Sequence, residues 1–260
     1  MPLWQRSLNH TEIATNRGGY PSWHVQTRSQ PILADRPLDV MHHRRPVIGI
    51  STDLHEGRFR ADQGYAKAVY RAGGVPLLLP CLPNLIPELL KMCDGVILTG
   101  GDDPIMEAWQ QKTDARVTPV DPTRQACELA ILATAQERSD LPVLGVCLGM
   151  QYMGLAHGGE LDQYLPASLE TAEDHWGRRG HLVSGQLGQG IVHSHHRQAL
   201  TDPGTLDVVA IAPDGVIEAI ARHDRSFYVG VQWHPERTED TALGEGLFTD
   251  LIAAARSKVA

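Results

Sequence analysis

Four short, continuously apolar segments constrain this chain more than any other feature. Val47-Ile48-Gly49-Ile50, Val75 to Leu79, Gly95 to Leu98 and Val143 to Val146 show no polar alternation. A strand with one wet face alternates, so strands of this kind are covered on both faces. Between them lie helical patterns at Ala61 to Ala72, stopped by Gly73-Gly74, at Leu85 to Met92, and at Thr123 to Glu137 behind Pro122. Glycine just past a helix and proline at its first position are the expected punctuation. Strands and helices in this alternation predict a single three-layer α/β domain with a mostly parallel central sheet. The length, 260 residues, suits one large domain. Further strands are expected at Ile191-Val192, Val208 to Ala212, Val216 to Ala221 and Phe227 to Val231, with a last helix from about Thr241 to Ala255. The stretch Gly159 to Gly190 is rich in Gly, His and charge, and its weak periodicity assigns it no element.

The first 45 residues differ in texture. They hold six arginines, no lysine and three acids, and show no apolar period. Residues 1–45 are therefore expected to be a disordered or loosely packed extension, or translation begins at Met41, and residues 46–260 form the domain. The whole chain carries 31 acidic against 23 basic residues, a formal charge of -8. That balance argues against nucleic-acid or anionic-membrane binding, which needs a positive footprint. Val75 to Leu90 is the longest apolar stretch, and Pro76, Pro80, Pro83 and Pro87 interrupt it, so no transmembrane helix is expected there. Four cysteines in a chain this long do not make a disulfide scaffold, which suits a reducing, cytoplasmic setting.

The strongest chemical signal is Gly145-Val146-Cys147-Leu148-Gly149, directly after the apolar strand ending at Val146. It is the thiol counterpart of the G-x-S-x-G elbow, in which a sharp strand-to-helix turn needs flanking residues without bulk. The helix that starts at Leu148 favours a thiolate at Cys147, and the Leu148 N–H can face a developing oxyanion. Free cysteines are ordinarily small buried hydrophobes, and Cys81, Cys93 and Cys127 are read so.

A cysteine nucleophile needs a base and a group that orients the base. An apolar strand near the carboxyl terminus leads into Gln232-Trp233-His234-Pro235-Glu236. In extended backbone, residues i and i+2 share a side, so Glu236 can accept from the His234 imidazole. Gly100-Gly101 after Leu98-Thr99 is by itself a tight turn; a phosphate cradle would want G-K-[ST] next, and none follows. His193, His195 and His196 lack a carboxylate or cysteine at ligand spacing, so no metal site is expected.

Gly145 to Gln151 together with Gln232 to Glu236 resembles the class I glutamine amidotransferase-like superfamily over about Pro46 to Ala255. Four more segments, Gly64 to Pro80, Asp121 to Ala130, Val192 to Leu200 and Ala212 to Ile220, resemble its gamma-glutamyl-gamma-aminobutyrate hydrolase branch. The resemblance implies a flavodoxin-like fold and a Cys147-His234-Glu236 triad that cleaves γ-glutamyl amides through a thioester, with neither metal nor organic cofactor. It also implies that Gly101 is the second oxyanion donor beside Leu148, and that Ser194 and His195 line the pocket. Gln151, one turn beyond Cys147, either contacts the glutamyl head, as the resemblance implies, or is a surface glutamine. The branch carries Arg after its nucleophile where this chain has Leu148, as ammonia-channelling glutaminases often do. The alternative is therefore a glutaminase subunit supplying a separate synthetase, and a third reading is a non-catalytic binding module on the same fold. Expected partners are a small-molecule γ-glutamyl substrate, a possible homodimer mate and, under the alternative, the synthetase.

Overall fold

The structure is a computed structural model, and it describes residues 44–257. The expected extension and the Met41 start lie outside the described residues, except for Arg44 and Arg45. These two are tied to the domain. Arg44 makes two hydrogen bonds to the Asp94 carboxylate, and Arg45 donates to the carbonyls of Tyr70, Gly73 and Gly74.

In chain order the first half comprises β1 (Val47–Ser51), β2 (Asp53–His55), β3 (Arg58–Arg60), α1 (Gln63–Arg71), β4 (Val75–Leu79), α2 (Ile86–Lys91), β5 (Gly95–Leu98), α3 (Pro122–Glu137), β6 (Val143–Val146) and α4 (Leu148–Ala156). The second half comprises β7 (Glu160–Asp162), β8 (Arg179–Gly185), β9 (Gly188–Ser194), β10 (Ala199–Asp202), β11 (Asp207–Ile211), β12 (Ile217–Ala221), β13 (Tyr228–Val231) and α5 (Glu245–Arg256). Local chemistry explains the helix starts: the Asp62 and Asp121 carboxylates accept from Gly64 N and Thr123 N, both at 2.7 Å, capping α1 and α3.

Nine strands form one sheet in the order β4-β1-β5-β6-β13-β12-β11-β8-β9. The first five are mutually parallel. Counted among themselves they run 2-1-3-4-5, the flavodoxin-like order. Helices cover both faces, as the unbroken apolar strands require. Tyr65, Val69, Phe248 and Leu251 of α1 and α5 pack on one side with Ile48, Ile50, Ile97 and Leu144. Leu90, Ile131 and Met150 of α2, α3 and α4 pack on the other with Val96, Leu98 and Val143. Beyond β13 the sheet continues as an antiparallel arm of four strands. The sequence reading found three of these strands in part, at Ile191-Val192, Val208 to Ala212 and Val216 to Ala221, and missed β8.

Candidate active site

The carboxyl ends of three adjacent parallel strands, β5, β6 and β13, deliver the glycine loop, Cys147 and His234. Open α/β sheets place ligands at such ends. Cys147 follows β6 with φ 52° and ψ -106°, and α4 begins at the next residue. The reason for the flanking glycines is contact. A Cβ on Gly149 would lie 2.3 Å from the backbone oxygen of Leu98, and one on Gly145 would lie 2.4 Å from Met153 Sδ. The turn is therefore pressed against β5 and its own helix. Positive φ strains any residue with a Cβ. Glycine normally costs about 0.5–1 kcal/mol relative to alanine inside an element. At position 147 the order should invert: Cys147→Gly is expected to be more stable than Cys147→Ala by about 1 kcal/mol, or about 2–4 °C in Tm. Parallel thermal melts check this; equal or reversed Tm values would remove the strain argument.

His234 lies three residues beyond β13. Its Nδ1 is 2.9 Å from Glu236 Oε1, and the Glu236 side chain is fully buried. Burial alone would lower the imidazole pKa. Hydrogen bonds to Cys147 and Glu236, and their negative charge, outweigh burial and raise it from 6.5 to about 10. The His234 loop is braced from β9: His234 N donates to His193 O at 2.8 Å, and Thr238 Oγ1 bridges His193 N and His234 O. Because the folded value is raised, the stability His234 contributes is complete below about pH 6.5. It is lost as pH rises through about 10. Denaturation midpoints should fall between pH 7 and 10, and less steeply in Cys147→Ala, which lacks the sulfur that helps raise the imidazole. An NMR titration placing the His234 imidazole near pH 6.5 in the unsubstituted protein would refute this.

The glycine loop packs against both groups. A Cβ on Gly100 would come within 2.9 Å of His234 Cε1 and 3.5 Å of Cys147 Cβ. Gly100 N donates to the Tyr65 hydroxyl at 3.0 Å, whereas Gly101 N has no acceptor among the described residues. Leu148 N opens α4, where first-turn amides have no partner within the helix. Beneath the loop sits a buried ion pair that sequence reasoning did not find. Arg124 lies 2.6 Å from Glu128, and Arg124 Nη2 also donates to Thr99 O and Thr99 Oγ1. Both side chains are almost completely buried, and burial pushes the Glu128 carboxyl pKa up. Thr99 immediately precedes Gly100-Gly101, so the pair anchors that loop.

Two depressions meet at Cys147 and share Gly101, Asp102 and His195. One is lined by Gln151, Tyr164, Trp176 and Arg197, the other by Tyr65, His234, Arg178 and Arg237. Of the expected pocket residues, His195 faces both and stacks on Trp176 at 4.0 Å, and the Arg197 guanidinium also lies over the Trp176 ring, at 4.2 Å. Gln151 is a lining residue rather than a surface glutamine; its amide donates to Gln232 Oε1 at 3.3 Å. Gln232 in turn donates to Cys147 Sγ at 3.6 Å, a contact no spacing rule indicated. Ser194 departs from expectation. It is fully buried and absent from the lining of either depression, and its hydroxyl lies 2.6 Å from His181 Nε2, in a His cluster whose His196 also lines the cleft. No carboxylate stands at ligand spacing from His196 in the sequence, but Glu218 of β12 reaches that cluster from another strand. Cys81, Cys93 and Cys127 are buried, and burial pushes the thiols up, to about 11 at Cys93 and about 12 at Cys127. Among the described residues no helix is long and apolar enough to cross a membrane.

A flavodoxin-like sheet with an elbow cysteine beside a His-Glu pair defines a glutamine amidotransferase-like protein. The chain belongs to the Peptidase C26 family, whose model matches residues 46–236. It is similar to the gamma-glutamyl-gamma-aminobutyrate hydrolase of Escherichia coli K12, 31% identical over 245 residues and covering 83% of this chain and 95% of the relative. A Mycobacterium tuberculosis protein provisionally named a glutamine amidotransferase is 35% identical over 240 residues, covering 81% and 75%. In fold it resembles a Thermoplasma acidophilum protein provisionally described as one component of GMP synthase, with a TM-score of 0.59 at 16% identity, covering 83% of this chain and 97% of that one.

Proposed function

We propose that the protein is a cysteine-dependent hydrolase that cleaves γ-glutamyl amides with water and releases glutamate. The observation that carries this reading is a cysteine held at positive φ on a strand–helix elbow, beside an imidazole that a buried carboxylate orients. The Cys147 thiolate attacks the γ-carbonyl, and the Gly101 and Leu148 amides receive the oxyanion. His234, held by Glu236, gives its proton to the departing amine as the tetrahedral adduct collapses to a thioester. The neutral imidazole then takes a proton from water, whose oxygen attacks the thioester; collapse returns Cys147 as the thiolate and leaves glutamate. The half-buried Arg197, whose Nε is buried with no hydrogen-bond partner, suits the α-carboxylate of the glutamyl head in the depression it shares with Gln151. The amine then leaves on the His234 side, where Arg178 offers a cation to a leaving group that carries a distal carboxylate, Arg237 being held by Asp62 and Glu236. That arginine supplies from another part of the chain the charge that Leu148 does not.

Purified protein incubated with γ-glutamyl-aminobutyrate, a γ-glutamyl amine lacking the distal carboxylate, and glutamine tests the reading through glutamate, amine and ammonia release. Amine release with a higher kcat/KM for the carboxylate-bearing substrate is the expected result. Turnover of glutamine alone, or only when a second protein is added, would transfer the assignment to an ammonia-supplying glutaminase.

A further inference from the structure

Behind the wall of the cleft, four buried side chains from separate parts of the chain aim their donor atoms at one another. His175 precedes β8, His181 lies on β8, His196 follows β9, and Glu218 lies on β12. None is more than 9% exposed, and one ligand atom from each lies within 4.8 Å of all the others. Glu218 Oε1 is 3.1 Å from His175 Nδ1, 3.4 Å from His181 Nε2 and 3.6 Å from His196 Nε2. In a ligand tetrahedron with zinc bonds of 2.0–2.1 Å, neighbouring donor atoms stand about 3.3 Å apart.

The outward nitrogens decide the protonation of the rings. His175 Nε2 faces Asp214 Oδ2 at 2.9 Å, His196 Nδ1 faces Gln198 O at 2.8 Å, and His181 Nδ1 faces Leu182 O at 3.2 Å. These partners are carbonyls and a carboxylate, which accept, so the outward nitrogens carry the protons. A neutral imidazole then turns a bare lone pair inward, against a carboxylate. Ser194 can donate to His181 Nε2 and relieve that ring. His196 Nε2 and Glu218 Oε2 have no hydrogen-bond partner. Protonating all three rings would set three buried cations against two carboxylates, Glu218 and Asp214, and leave net positive charge in a dry interior. A divalent cation satisfies all the inward lone pairs at once. Carboxylate and carbonyl oxygens behind ligating imidazoles are the usual outer support of a zinc site.

We propose that His175, His181, His196 and Glu218 form a Zn²⁺ site, closed by four protein ligands and therefore structural. Three imidazoles with one carboxylate suit zinc better than the all-oxygen preference of Mg²⁺ or Ca²⁺. The ligands His175 and His196 are the chain neighbours of Trp176 and His195, the stacked pair at the cleft. The ion would staple β8, β9 and β12 together and fix that pair from behind. It takes no part in the reaction proposed above.

The test uses the full chain in the Cys147→Ala form, which removes the nucleophile as a rival ligand. Zn²⁺ is titrated calorimetrically and bound metal is counted after dialysis, alongside the same protein carrying His196→Gln. One equivalent bound in the parent, a higher Tm with Zn²⁺ than with chelator, and loss of both in His196→Gln are expected. Equal binding in the two proteins, or no binding by the parent at 0.1 mM Zn²⁺, would overturn the site. Should His196→Gln not fold, Co²⁺ loaded into the parent decides. Intense visible bands of a tetrahedral centre support the proposal, and weak octahedral bands reject it.

Discussion

Replacing Cys147 with alanine is expected to reduce hydrolysis of γ-glutamyl amides by at least about four powers of ten while the fold persists. Removing the nucleophile of a triad can cost about 10⁶ in kcat, because the remaining groups have nothing to activate. His234→Asn should approach the same loss. Glu236→Gln should lose less, since it retains an acceptor for His234 Nδ1 but not the negative charge that favours the imidazolium. The double variant Cys147→Ala/His234→Asn should be no worse than Cys147→Ala alone, the signature of residues acting as one unit. Single-turnover kinetics with mass spectrometry should trap a glutamyl adduct on Cys147 in the unsubstituted protein. Hydrolysis by the Cys147→Ala protein within tenfold of the parent would end the thioester mechanism.

The second large effect concerns stability rather than chemistry. Glu128→Leu is expected to cost roughly 3–5 kcal/mol, because it leaves the buried Arg124 guanidinium with only the more distant Asp53 carboxylate, at 3.9 Å. In a domain this size that corresponds to a fall in Tm of about 10 °C. Arg124→Met should cost less, and the asymmetry follows from the two groups. A carboxyl already pushed up by burial can take a proton and become neutral, whereas a guanidinium cannot shed one. Arg124→Met also frees Thr99, so kcat should fall in a variant that is still folded. Urea denaturation of the two single variants and of the double variant decides the matter. A Glu128→Leu protein within 1 kcal/mol of the parent would show that the pair carries little.

The parallel half of the fold and the elbow were legible in sequence because each rests on local patterns. An apolar run such as Val143 to Val146 must be covered on both sides, and Gly145 and Gly149 must sit where Cβ atoms would collide with Met153 and Leu98. The antiparallel arm was harder for a physical reason. On β8, His181 and Val183 turn inward while Leu182 is 37% exposed; on β9, Ser194 is buried while Ile191 is 57% exposed. The alternation is present, but polarity and burial are partly exchanged, so a search for apolar-inward periodicity passes over β8. The His cluster was hidden differently. Glu218 sits in the apolar strand Ile217–Ala221, 22 positions from His196, where no ligand spacing rule reaches. Gln232 was likewise brought to Cys147 by packing between elements. Arg124 and Glu128 stand four apart on α3, a spacing present in the sequence, but nothing local marks that face of the helix as buried.

The position of β13 has a consequence for how this protein is made. Among the described residues it is the last strand in chain order, yet it lies between β6 and β12 and is hydrogen-bonded to both. A nascent chain that ends before Tyr228 therefore holds two incomplete sheets, each with an open edge, at Val143–Val146 and at Ile217–Ala221. Such edges invite pairing with other chains. The same late strand brings His234 to Cys147. During synthesis the thiol thus stays without its imidazole until the two sheets have been joined, so reactivity and completion of the sheet arrive in a single folding event.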